Sequence, residues 1–142
     1  MVYYNEKATQ DFKKTHKGIV KLCYDIAKHS GNPAMCKRDV HYVCGNMGYF
    51  SPHKVYVDVT QDSYLVASIN KGYIRIYGLA TRLDKERQGG GGRLLNNLYA
   101  FARQKGIKTI KILTETGAEY FARKGFFPEE IRGKEFLMTK QL

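Results

Sequence analysis

The chain has 142 residues, room for one domain with a real core, spanning 1–142. A formal net charge of +11 favours anionic partners, although the basic residues are scattered from Lys7 to Lys140 rather than gathered in a tail. No apolar run reaches the roughly 18 residues of a membrane span, Met1-Val2-Tyr3-Tyr4-Asn5-Glu6 lacks the regions of a signal peptide, and three cysteines make no disulfide framework, so a reducing, cytoplasmic setting is expected.

Thr9 to about His29 reads as a helix, with Phe12, Ile19, Leu22, Cys23 and Ile26 on one face. Thr9 can cap its start, Gly31-Asn32-Pro33 stops it, and Gly18 weakens its middle. Lys14, Lys17, Lys21 and Lys28 fall on the opposite face, which suits either solvent or a ridge for a polyanion. Pro33 then opens a second helix that carries Met35, Cys36, Val40, Val43 and Cys44 up to about Gly45. Cys36, His41 and Cys44 match no common zinc spacing and lack a fourth ligand, so no metal is expected and the cysteines read as small hydrophobes. A turn-rich connection covers Gly45 to Pro52. Lys54 to Val59 and Tyr64 to Ile69 alternate as strands and form a hairpin around Gln61-Asp62-Ser63. Asn70-Lys71-Gly72 turns the chain into a third strand, Tyr73 to Thr81, so an antiparallel meander is predicted.

Arg87-Gln88-Gly89-Gly90-Gly91-Gly92-Arg93 follows that strand and leads straight into a helix striped by Leu94, Leu95, Leu98, Phe101 and Ala102. A strand, a glycine loop and a helix N-terminus make an anion cradle, because outward-facing amides and the helix dipole gather there. Arg93 and Leu94 stand where a Walker loop needs Lys and Ser/Thr, and Leu95 breaks a dinucleotide-binding pattern. Lys105-Gly106 ends the helix. Thr109 to Leu113 is a short strand that should run parallel to Tyr73–Thr81. Glu115 to Lys124 reads as a helix closed by Gly125, and Phe126-Phe127 and Glu135 to Lys140 as two final strands.

Arg87 to Gly92, the strand before them and Leu94-Leu95 after them resemble the acetyl-CoA loop of the GCN5-related N-acetyltransferase (GNAT) family. Leu113-Thr114-Glu115-Thr116-Gly117-Ala118-Glu119-Tyr120-Phe121-Ala122-Arg123-Lys124-Gly125-Phe126 resembles that family's second motif. The resemblance implies an α+β, single-domain GNAT fold with a central mixed, mostly antiparallel sheet and helices on both sides. It implies acetyl-CoA as acyl donor, with Leu79, Ala80 and Thr81 pairing with the pantetheine arm. Gln88, Gly89, Gly90, Gly91, Gly92 and Arg93 would hold the pyrophosphate through backbone amides, and Arg87 and Arg93 would add charge. The activity implied is transfer of acetyl to a primary amine, that of a small amine or an amino-acid-like acceptor.

Two departures from the family pattern stand out. Thr81 to Glu86 is one residue longer than usual, which predicts a bulge or register shift near the arm. Phe121 occupies the position where the family often has a tyrosine acid. Tyr120 beside it is the substitute, but adjacent helical residues point about 100° apart, so Tyr120 is expected to pack inward. Glu115, Asp58 and Tyr77 have the chemistry of a base. Two rival readings remain: an acceptor group linked to nucleic acid, motivated by the positive charge, and a CoA-binding module without catalysis, motivated by Phe121. Either a monomer or a homodimer fits.

Overall fold

The computed structural model describes residues 2–4, 16–47 and 54–142. Seven strands form one mixed sheet in the order β1-β2-β3-β4-β5-β7-β6. The strands are β1 (Val2–Tyr4), β2 (Lys54–Val59), β3 (Ser63–Asn70), β4 (Tyr73–Thr81), β5 (Thr109–Thr114), β6 (Phe127–Arg132) and β7 (Glu135–Gln141). All neighbours are antiparallel except β4 and β5. The predicted meander is present as β2-β3-β4, extended at its outer edge by β1.

Helices lie on both faces. Helices α1 (Lys17–Lys28) and α2 (Pro33–Val40), continued by a π-helical stretch His41–Met47, cover one face. Here Val20, Cys23, Ile26, Val40, Val43 and Cys44 meet Val55, Val57, Tyr64 and Val66. Helices α3 (Gly90–Gln104) and α4 (Ala118–Arg123) cover the other face. Leu94, Leu95 and Leu98 of α3 pack there on Tyr56, Leu65, Ile74 and Ile76. Strands β2 and β3 are buried on both sides, so their alternation divides one apolar set from another rather than apolar from polar.

Several predicted boundaries move. The first helix is described from Lys17, so Thr9, Phe12 and Lys14 lie outside the described residues, as does part of the connection before β2. Its remaining stripe, Lys17, Lys21 and Lys28, is exposed. The second helix is capped by Asn32, whose Oδ1 accepts from the Met35 N–H at 3.4 Å, and it widens to π geometry instead of stopping at Gly45. The helix predicted from Glu115 starts only at Ala118, because the Thr114 Oγ1 accepts from the Gly117 N–H at 2.8 Å and holds residues 115–117 in a bend. The strand read as Phe126-Phe127 runs to Arg132, since pairing with β7 overrides the weak β-propensity of Pro128-Glu129-Glu130.

Leu98 sits fully buried at the centre of the α3 face. Truncation leaves a void between α3 and the sheet, so Leu98→Ala should lose about 2–5 kcal/mol of stability in urea denaturation.

Candidate functional site

Strand β4 is nine residues long, yet β5 pairs only with Tyr73, Ile74, Arg75 and Ile76. A bulge explains the parting. Between β3 and β4 the register steps from Ala67↔Ile76 to Val66↔Gly78, leaving Tyr77 as the extra residue. The strand changes phase there: Ile74 and Ile76 face α3, Tyr77 faces the α1–α2 side, and Leu79 faces α3 again. Beyond Ile76 the β5-facing edge of β4, including Leu79, Ala80 and Thr81, has no strand ladder. The irregularity is therefore at Tyr77 and not in Thr81–Glu86, whose extra length is taken up by a single 3-10 turn at Leu83–Lys85.

The open gap leads to the start of α3. Arg87 (φ 65°) and Gly89 (φ 80°) are both left-handed, and they turn the chain into the helix within three residues. That geometry costs glycine nothing but costs Arg87 about 1–2 kcal/mol. Gly90, Gly91 and Gly92 are not loop residues, as predicted, but the first turn of α3, because the first helical bond runs from the Arg93 N–H to the Gly89 carbonyl at 3.1 Å. Their amides thus precede the ladder and point out of the helix end. The terminus has no capping side chain and no acid in its first turn. Cations gather there instead. Arg93 folds back so that its Nη1 donates to the Gln88 carbonyl at 3.1 Å. A Cβ on Gly92 would stand 3.2 Å from Lys124 Nζ. Lys124, at the end of α4, escaped the sequence reading because only the tertiary fold brings it here.

The two aromatic residues of α4 exchange their expected places. Phe121 is buried, 5% exposed, and stacks edge-on against Phe126 with centroids 5.3 Å apart. Tyr120 is half-buried and its hydroxyl reaches α3: a Cβ on Gly91 would lie 3.0 Å from it and 3.7 Å from a Leu79 methyl. The short α4 has one apolar side, and Phe121, in line with Phe126, takes it. Burial pushes the Tyr120 phenol up, against a smaller opposing effect of Arg123, so it stays protonated near neutrality.

The other candidates scatter. Glu115 is exposed on the bend after β5. Asp58 is buried under α3 and accepts from Asn97 Nδ2 at 3.1 Å. Tyr77 lies on the α1–α2 side with Arg75 stacked 4.6 Å above its ring, and burial raises its phenol. Cys23 and Cys44 are buried, the former with its thiol pushed up to about 12 by desolvation. An open depression of about 590 Å³ lies beside Lys28, His29 and Arg82, but Arg82 is held there by Asp25 at 3.0 Å and Asp84 at 3.9 Å.

This arrangement has solved counterparts. Tetrahymena GCN5 superposes with a TM-score of 0.73 at 15% identity, covering 98% of this chain and 95% of that one. The fold is that of the GNAT acetyltransferases. The ribosomal-protein-S18-alanine N-acetyltransferase of Escherichia coli gives 0.67 at 15% identity, over 99% of this chain and 94% of that one. The PaiA N-acetyltransferase of Thermoplasma acidophilum, solved with coenzyme A, gives 0.64 at 11% identity over 100% and 99%. No protein-family model and no curated protein sequence matches the chain. The GNAT fold thus persists here at sequence distances where recognition rests on geometry.

One further group near the gap was not singled out from sequence. Asp39, near the end of α2, is pushed up to about 6 by burial, with Arg38 opposing and Glu135 adding a smaller rise. Tyr64 also faces it, its own phenol raised chiefly by burial and partly by Asp39. A carboxyl raised in the folded chain disfavours folding once ionised, so stability should fall as pH rises from about 3.8 to about 6 and level off above. Asp39→Asn removes that slope. Urea melts near pH 4 and near pH 7 should show the variant gaining on the parent at the higher pH.

Proposed function

We propose that the chain is an acetyl-CoA-dependent N-acetyltransferase acting on a primary amine. The observation that carries this reading is the continuity of two unfilled features: the unpaired edge of β4 runs into the amide end of α3. Acetyl-CoA has matching parts. Its pyrophosphate would sit on the amides of Gly90, Gly91 and Gly92, with Arg87, Arg93 and Lys124 supplying charge. Its pantetheine arm would lie along Leu79, Ala80 and Thr81 as a surrogate strand. Positive side chains crowded on the positive end of a helix dipole repel one another in the free protein, and an anion relieves this. The comparison proteins support the donor, since the Thermoplasma enzyme was solved with coenzyme A and a GNAT acetyltransferase from Elizabethkingia anophelis with acetyl-CoA.

The arm would place its thioester at the apex of the gap, where β4 meets β5. A neutral amine attacks the thioester carbonyl carbon; the C–N bond forms, the carbonyl oxygen gains charge, and collapse breaks the C–S bond. The amine gives up one proton and the thiolate takes one. An amide of the Tyr77 bulge, freed from the β5 ladder, is suited to polarise the carbonyl. Tyr120 reaches the cradle rather than the apex, so its role is a hydrogen bond to the donor, and water protonates the thiolate. The acceptor is a small soluble amine in this reading. An acceptor linked to nucleic acid finds its support only in the exposed lysines of α1.

Two variants test the assignment. Gly90→Ala is a poor probe, because its Cβ would be 2.5 Å from Ser63 Oγ and would disturb the Ser63–Thr81 hydrogen bond. Gly92→Asp meets only the flexible end of Lys124, and an acid in the first turn favours the helix. It should therefore melt no lower than the parent while weakening acetyl-CoA binding at least about tenfold in calorimetry. Unchanged affinity would place the donor elsewhere. Tyr120→Phe should weaken donor binding and lower kcat by less than the ~10²-fold lower bound for losing a general acid; a larger fall in a folded variant would make Tyr120 the acid.

A further inference from the structure

The apex of the gap opens on both faces of the sheet, and the donor accounts for one of them. Acetyl-CoA would enter from the α3 side, so the acceptor amine approaches from the other. Among the described residues, α1 and α2 cover that face only as far as β4. Ile74 and Ile76 point to α3, so Arg75 between them points to the open face. It shares a rung with Lys111 of β5, one step before the last rung, Ile76↔Ile112. Two cations side by side on neighbouring strands cost stability. They part: Lys111 leans back over the Tyr73 ring at 5.2 Å and toward Glu129 at 3.8 Å. Arg75 leans forward, its Cζ 4.6 Å above the ring of Tyr77, the bulge residue at the apex.

Nothing neutralises Arg75 in that position. Among the described residues its guanidinium makes no ion pair and no hydrogen bond, and its buried Nε has no acceptor. The two terminal nitrogens are the part left open. Asp39 stands over the next residue, Gly78, but its cation is Arg38 at 3.8 Å. A half-buried charge without a counter-charge costs free energy, and a bound anion recovers it. The orientation of the guanidinium is also set in advance. Tyr77 lies beneath it, and Tyr42 packs on the Tyr77 ring with centroids 5.3 Å apart. Tyr42 is 44% exposed and belongs to the π-helical stretch. Two backbone irregularities, the π-helix and the bulge, thus bring their rings together beside one open guanidinium.

We propose that Arg75, backed by Tyr77 and Tyr42, binds a carboxylate of the acceptor, making the acceptor an amino acid or another small amine that carries an acid group. This rests on the acetyltransferase reading above and narrows its acceptor. The planar fork of a guanidinium matches the two oxygens of a carboxylate, through two parallel N–H bonds. Held by that end, the acceptor has its amine free to reach the thioester, with the tyrosine rings beside its carbon chain. One open guanidinium serves one anion. A nucleic-acid strand needs a row of cations, and Glu129 beside Lys111 interrupts such a row.

Three amino acids, each paired with its own amide, test this: glycine and glycinamide, 3-aminopropanoate and 3-aminopropanamide, 4-aminobutanoate and 4-aminobutanamide. Each pair keeps its size and loses only the charge remote from the amine, while the series varies the distance between the two ends. Thiol release from acetyl-CoA should favour the carboxylate over its amide in at least one pair, by about tenfold or more in kcat/KM. The amine of an amide is less basic and more often neutral near neutrality, so a preference for the carboxylate runs against that bias. Arg75→Gln should erase the preference, chiefly through KM for the carboxylate. Arg75→Lys should keep part of it, since the charge stays and the fork is lost. Equal rates within every pair, or a preference undiminished in Arg75→Gln, overturns the subsite while leaving the transferase reading intact. Should Arg75→Gln fail to fold, an undiminished preference in Arg75→Lys overturns it instead. Calorimetry of the same compounds with acetyl-CoA present is the second readout if none is acetylated. Binding of a carboxylate but not of its amide, weakened in Arg75→Lys, supports the subsite; no difference within any pair overturns it. Failure of acetyl-CoA itself to bind in the same titrations identifies the transferase reading as the part at fault.

Discussion

Backbone hydrogen bonding that stops half-way along β4 is the constraint on which the rest depends. A strand edge inside a sheet is normally satisfied by its neighbour, and an unsatisfied amide away from water is costly. Here one extra residue, Tyr77, turns the strand out of phase and ends the ladder to β5. Everything beyond Ile76 on that edge must then face solvent or a guest. The bulge also resets which side chains face which helix, so Leu79 can meet α3 at Gly91 while Ala80 returns to the α1–α2 side. A single insertion thereby makes both the opening and the wall beside it.

Helix α3 completes the arrangement because its start is deliberately bare. Most helices satisfy their first amides with a Ser, Thr, Asp or Asn cap. Three glycines and no cap leave these amides exposed, at a cost in helix propensity of ~1 kcal/mol per glycine. The stripe of Leu94, Leu95 and Leu98 against the sheet outweighs that cost, each being buried to 1% or less. Strong packing one turn later is what allows a weak beginning.

Those two regions were also the most legible in the sequence. Glycine runs and a 3.6-residue apolar stripe are local signals, and β4 follows from them to the residue, while α3 begins one turn earlier, inside the glycine run. What escaped depends on distant partners. Strand β1 has three residues and acquires its identity only from Asp58, Val57 and Tyr56 opposite it. The π-helical stretch His41–Met47 differs from an α-helix by one residue per bonded ring, which composition does not record. Tyr120 and Phe121 were assigned by angle alone, when the direction of the angle was set by Phe126. Asp39 gave no signal at all, since the burial that raises its carboxyl comes with the close approach to Gly78, far along the chain.

The sheet also ends in a strand, β6, whose six residues are all exposed, with Phe127 at 49% and Ile131 at 68%. An apolar outer strand is a template on which another chain can grow, the first step toward fibrous association. Between these two side chains the sequence places Pro128, which offers no N–H, and Glu129 and Glu130 at a bulge. Glu129 is drawn inward by Thr139, which donates to it at 2.7 Å. The kinked, acidic rim leaves an incoming strand no straight row of donors to match. Shape rather than charge keeps like molecules apart at this border, because Glu129 lies 3.8 Å from Lys111 and Glu130 3.1 Å from Arg132.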